Sequence, residues 1–207
     1  MRSKKGTSGR DTFLGTARRE QFIACAIDAL AETGFAGASI AEVANRAGVS
    51  KSVVLYHFES RSALLEAVVT EVYTNAGPAL VAALDAAPDE RARLAAYLRG
   101  CTEFAWTHQK ELRAVTEIFR NLRRDDGSRW YTAKDSEELI GFVQGLLEAG
   151  QRSGEFAEFD TRTLAVVLRA TIDALPGLFE SDPGIDGPQF AEHLVHLFDR
   201  TVRKDDR

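Results

Sequence analysis

The chain predicts an all-α protein of about nine helices. Three observations carry that prediction. Apolar residues recur at helical spacing from Thr16 to Val202, no stretch alternates with a strand's period of two, and the breaks between apolar runs hold helix caps and stops. At 207 residues, 44% hydrophobic and 28% charged, the composition suits an ordinary globular protein with room for a small unit and a larger one.

Residues 1–15, MRSKKGTSGRDTFLG, are polar and basic and read as a disordered arm. Such an arm either follows a nucleic-acid groove or is a solvated leader. From Thr16, Phe22, Ile23, Ala26, Ile27 and Leu30 form one stripe that Gly34 stops. Ser39 caps a short second helix, with Glu42 three residues on as in a capping box, and Ile40, Val43, Ala44 and Ala47 as its inner face. Gly48 ends that helix, and Ser50 caps a third that runs to about His57. Ser60 caps a fourth with Leu64, Leu65, Val68 and Val72, running to about Leu84.

Pro88 and Asp89 open a helix carrying Leu94, Leu98, Cys101, Phe104 and Ala105. Residues 109–123 follow with Leu112, Val115, Ile118, Phe119 and Leu122, and then RRDDGSRWYTAKD reads as a charged, mobile connection. Residues 135–152 form the next helix, SGEFAEFD is a turn, and Asp160 or Thr161 caps an unusually apolar helix over 161–180. After the loop SDPGIDGP a last helix spans about 188–202.

The formal net charge of −5 argues against a nucleic-acid partner until the chain is divided. Residues 1–61 hold nine Lys/Arg against six Asp/Glu, a net of +3; residues 62–207 hold seventeen against twenty-five, a net of −8. A basic head on an acidic body is the asymmetry expected when one end meets phosphate. Cys25 and Cys101 lie in apolar surroundings and read as buried, reduced thiols, so neither a disulfide framework nor a zinc site is expected. His193 and His196 lack an acidic or Cys partner at ligand spacing, which leaves no metal site. There is no signal-peptide pattern, and no apolar run approaches the ~18 residues of a membrane span. A cytoplasmic protein without membrane contact is expected. GxSxG, phosphate-loop and HExxH motifs are absent and no cofactor is implied, so an enzyme is not expected.

The segment from Ser39 to Leu65 carries the functional signal. Ala44 and Ala47 are small enough for close helix contact, Gly48 permits a tight turn, Val49 plugs it, and a second helix follows. That is a helix-turn-helix, whose second helix presents its outer face to a DNA groove. Lys51, Ser52 and Val53 open this helix and are the candidates for base edges: Lys51 toward guanine, Val53 toward a thymine methyl. Backbone N–H groups near Ser39 and Ser50 sit at helix starts, where phosphate is favoured, and the two hydroxyls either cap or contact phosphate. Val54 and Phe58 point inward.

The run AEVANRAGVSKSVVLYHFESRSALL resembles the TetR/AcrR family of one-component transcriptional regulators over about residues 16–66. Ile40, Ala41, Ala47, Gly48, Val49, Ser50, His57, Phe58, Ser60, Leu64 and Leu65 match the family's wording. Leu55 stands where a Tyr is frequent, with Tyr56 adjacent; Ser52 and Val53 replace a common Gly-Thr pair; Arg61 replaces a Lys. The resemblance implies that Tyr56, His57 and Arg61 meet the phosphate backbone. It also implies a helix-turn-helix unit over 16–60 and a ligand-binding and dimerisation unit over 61–207. A homodimer through the helices at about 161–180 and 188–202, with the stripe Phe190, Leu194, Leu197 and Phe198, would read a palindromic operator on double-stranded DNA. A small-molecule inducer would release it, through a pocket including Phe104, His108, Phe119, Trp130 and Phe142. The alternative is a helical small-molecule-binding or enzymatic protein whose helix-turn-helix is vestigial.

Overall fold

The helices are laid down by capping and apolar periodicity. The computed structural model describes residues 8–204 and shows nine helices among them, with no strand beyond two isolated bridges. They are α1 (Ser8–Gly37), α2 (Ile40–Arg46), α3 (Lys51–His57), α4 (Arg61–Asp85), α5 (Glu90–Thr107), α6 (Gln109–Asn121), α7 (Ala133–Ser153), α8 (Thr161–Ser181) and α9 (Gly187–Val202). Of the basic arm expected over 1–15, residues 1–7 lie outside the described residues. From Ser8 the chain is already helical, so α1 begins eight residues ahead of Thr16.

Side-chain oxygens at the helix starts set several boundaries. Ser60 accepts from the Ala63 N–H, Asp89 from Ala92, Asp160 from Thr163 and Asp186 from Gln189. The box expected at Ser39 forms only by half. Ser39 accepts from the Glu42 N–H at 3.2 Å, but the Glu42 carboxylate turns to Arg46 Nε at 2.7 Å, and the Ser39 N–H bonds to Gly37 O at 2.8 Å instead. A complete box forms at Thr132, whose N–H reaches Asp135 at 2.8 Å, and it starts α7 two residues before the expected 135. The segment expected to be a mobile connection is a turn held by backbone bonds, Arg124 N–H to Ser128 and Trp130 N–H to Leu122, with Gly127 at φ 80°.

Gly34 breaks α1 where a stop is expected, at φ 69° and ψ −175°, and three residues of helix continue beyond it. Phe22, Ala26 and Leu30 are buried, and α1 packs on α2, α4 and α6. Around it the larger body is built on α5, which touches α4, α7, α8 and α9. Cys25 and Cys101 are unbridged and half-buried rather than fully buried; the surrounding protein pushes the Cys101 thiol up to about 11 despite the opposing charge of Arg169.

Contrary to the sequence expectation, one helix among the described residues, α4, is long and apolar enough by composition to cross a membrane. Its inward face, Leu64, Leu65, Val68, Val69, Val72 and Leu84, is buried against α1, α5 and α6. Helix length and composition alone do not distinguish such a core helix from a span.

Candidate nucleic-acid interface

The turn between α2 and α3 follows from three residues. Gly48 takes φ 68°, where a Cβ is disfavoured. The Val49 N–H reaches back to Ala44 O at 2.9 Å, and Val43 and Ala44 are buried in the contact. Ser50 then adopts extended backbone and α3 begins. Val54 and Phe58, 0% and 2% exposed, anchor α3 inward as expected.

Everything else on α3 except His57 faces out. Lys51, Ser52, Val53, Leu55 and Tyr56 are exposed, and Tyr56 most of all, at 85%. An aromatic ring left this far in water beside a fully formed core is unusual for a residue of its type. Of Ser39 and Ser50, Ser39 caps its helix through the side chain and Ser50 does not. The Ser50 hydroxyl lies 2.8 Å from the Ser52 hydroxyl, leaving both on the exposed rim. His57 is half-buried, its ring edge-on to Phe22 at 5.4 Å and to Tyr56 at 5.3 Å. It therefore steers the Tyr56 ring as well as closing the helix.

The basic residues of this region are mostly engaged. Arg18 donates to Gln21 and Arg46 pairs with Glu32 and Glu42. Arg19 lies over the Phe58 ring, 4.2 Å from its centroid, and donates to His57 O. Arg61 lies over the Phe35 ring at 4.2 Å and donates to Ala38 O at 2.8 Å and to Phe35 O. Burial lowers the Arg61 pKa from its ordinary value. Among Arg18, Arg19, Arg46, Lys51 and Arg61, Lys51 alone has no internal partner among the described residues. The resemblance puts Arg61 on phosphate; two of its three nitrogens donate instead to Phe35 O in the last turn of α1 and to Ala38 O in the loop before α2. It is a clamp for the helix-turn-helix, and the stacked geometry could not be read from sequence. Arg61→Lys should keep the charge and lose the planar fork, lowering stability by about 1–2 kcal/mol in a denaturant titration. A loss indistinguishable from zero would remove the clamp.

The five residues expected to share a ligand pocket do not come together. Phe104 stacks on His108 at 4.3 Å; Phe119 stacks on Tyr131 at 3.9 Å with Trp130 at 6.2 Å; Phe142, 47% exposed, meets Tyr97 at 5.8 Å. These are three separate ring clusters, and none of the five lines the described cavities. Aromatic rings on helical faces satisfied one another instead of enclosing space. The larger cleft with inter-helix walls, about 570 Å³, lies between α1, α6 and α8 and is polar, with Arg113, Glu117, Arg120, Asp173 and Glu180 on its walls. Nothing in the periodicity of α6 or α8 marked these residues. His193 and His196 line a shallow hollow on α9, and the described residues contain no cluster fit to hold a metal.

Residues 22–68 match the family model described as bacterial regulatory proteins, tetR family. The HTH-type transcriptional regulator BetI of Klebsiella pneumoniae (strain 342) is 38% identical over 85 residues, 40% of this chain and 44% of the relative. BetI of Yersinia pestis (strain Pestoides F) is 39% identical over 85 residues, 40% and 43% of the two chains. The chain spans less than half the length of the curated relatives it matches. Over nearly the whole chain the fold resembles that of the fatty acid degradation regulator FadR from Bacillus halodurans, with TM-score 0.75, 18% identity and coverage of 98% and 100%. It also resembles a tetR-family regulatory protein from Rhodococcus RHA1, with TM-score 0.74, 21% identity and coverage of 91% and 98%. Residues 22–68, which build the helix-turn-helix, are thus similar to the tetR family of bacterial regulatory proteins.

Proposed function

We propose that the protein is a DNA-binding transcriptional regulator that acts as a homodimer on a palindromic operator and is released from it by a small molecule. The observation that carries this reading is the outer face of α3, where Lys51 and Tyr56 stand in solvent beside Ser50, Ser52 and Val53 on a rigid two-helix support. Lys51, Ser52 and Val53 meet base edges, and Ser50, Tyr56 and the end of α3 at His57 meet phosphate. One seven-residue helix makes few contacts, so a two-fold pair of them about one DNA turn apart, ~34–36 Å, supplies the affinity.

The dimer reading draws on α8 and α9. Val166 and Val167 on α8 and Leu197 on α9 are exposed at 42%, 51% and 59%. The stripe expected to serve the dimer is largely used inside the chain: Leu194 and Phe198 are buried where α9 packs on α5, and Phe190 meets Phe179. The part of the stripe offered to a second copy is its exposed flank, at Leu197. Leu197→Glu should therefore shift the protein from dimer to monomer in sedimentation, with little change in its helical circular dichroism. A dimer of undiminished strength would place the interface elsewhere.

The regulator itself is tested by selecting bound fragments from total genomic DNA with the purified protein. A two-fold symmetric consensus is expected. No enriched sequence at low salt would overturn operator recognition and leave the helix-turn-helix vestigial.

A further inference from the structure

The cleft between α1, α6 and α8 sits on an unusual junction. Ala31 and Phe35 are the i and i+4 residues that a continuous helix would bond to each other, and Gly34 breaks the helix between them. Each finds a partner on α6. Arg113 Nη1 donates to Ala31 O at 3.3 Å, and the Phe35 N–H donates to Glu117 Oε2 at 3.2 Å. Two α6 side chains thus complete one broken turn of α1, and Phe35 is held from its other side by Arg61. Arg113 also pairs with Glu180 near the end of α8. Ala31, Gly34, Arg113, Glu117 and Glu180 all line the cleft.

The charges there are unevenly committed. Glu117 accepts from Phe35 and Asn121, Asp173 is paired with Arg169, and Glu180 with Arg113. Arg120, on the same wall, has no hydrogen bond or ion pair for its guanidinium among the described residues. Arg113 and Arg120 lie two helical turns apart on one face of α6, roughly 10 Å along the axis, with Thr116 between them. Long guanidinium arms converge on one small ligand across that distance. At about 570 Å³ the cleft has the volume of a small-molecule site, with Leu30, Ala174 and Pro176 as its apolar walls.

We propose that this cleft binds a small molecule bearing carboxylate or phosphate oxygens through Arg113 and Arg120. The ligand competes with Glu180 for Arg113, and so loosens the α6 grip on the α1 break. Bidentate oxyanion recognition is what an arginine pair offers, and the Arg113–Glu180 pair is exposed enough to exchange. The site is distinct from the aromatic clusters of the helical core.

The test uses the full chain titrated with citrate and, separately, with inorganic phosphate, at ionic strength matched with sodium chloride. One saturable site per chain is expected for at least one probe, and the probe that binds identifies carboxylate or phosphate as the recognised group. Arg120→Gln, an exposed side chain whose loss leaves the core intact, should weaken binding at least tenfold. Glu180→Gln should tighten it several-fold by freeing Arg113, and ligand should accelerate hydrogen exchange at the Phe35 amide. Titrations that match the salt control for both probes, or affinities that Arg120→Gln and Glu180→Gln leave within twofold, overturn the site. Exchange at Phe35 that does not change overturns the coupling to α1. No readout involves DNA, so the outcome is independent of the DNA-binding reading.

Discussion

Replacing Lys51 and Tyr56 together by alanine is expected to lower operator affinity by about a thousandfold, with the melting temperature unchanged. Each side chain makes one contact per protomer, so a dimer loses four; at about 1 kcal/mol each the loss is about 4 kcal/mol. The fold does not depend on either residue, since Tyr56 is 85% exposed and Lys51 has no internal partner among the described residues. Fluorescence anisotropy on the selected operator measures the loss. The same titration repeated between 50 and 200 mM salt is more telling. Lys51, which has no internal partner among the described residues, should contribute about one unit of salt slope per protomer if it meets phosphate. If it reads guanine, the mutant relaxes specificity at one position in each half-site and keeps more of the slope. Affinity that survives the double substitution would take α3 out of the interface.

The second large effect is on stability, at a glycine far from DNA. Gly150 lies in the last turns of α7, where Gly154 at φ 82° reverses the chain and Phe156 folds back onto the helix. The Phe156 N–H bonds to Gly150 O at 3.0 Å, and the ring is 1% exposed. A Cβ at position 150 would stand 2.1, 2.2 and 2.6 Å from three carbons of that ring. Ring carbons at such distances overlap fully, and a buried ring closed in by neighbours has no space to step aside. Gly150→Ala should therefore cost about 3 kcal/mol, near the upper end for one methyl of overpacking, and lower Tm by roughly 6–12 °C in a chain of this length. Phe156→Leu in the Gly150→Ala background should recover part of the loss by making room. A melting curve for Gly150→Ala that overlays the native one would mean the turn relaxes freely.

Much of the architecture was legible because it is local. Caps at Ser60, Asp89 and Asp160, the Gly48 turn and the 3.6-residue stripes each act within a few residues of chain, so their consequences can be read in order. The inward turn of Val54 and Phe58, and hence the outward turn of Lys51, Ser52, Val53 and Tyr56, follows from the same periodicity. The exceptions are places where a local preference met a competitor from elsewhere. Glu42 left its capping box for Arg46, an i+4 partner that Glu32 on α1 holds in place.

What the sequence by itself determined is the helical class, the helix-turn-helix and the face that helix presents, since side-chain period and turn chemistry are properties of consecutive residues. Only the tertiary structure decided what the long side chains do. It made Arg61 a clamp on Phe35 and Ala38, took the stripe of α9 into the core against α5, and closed the aromatics into separate stacks. It also brought Arg113 and Glu117 to a break in α1 some eighty residues away. Those pairings depend on which helices become neighbours, and a side chain with several possible partners takes the one that packing brings within about 3 Å, a choice that spacing along the chain does not encode.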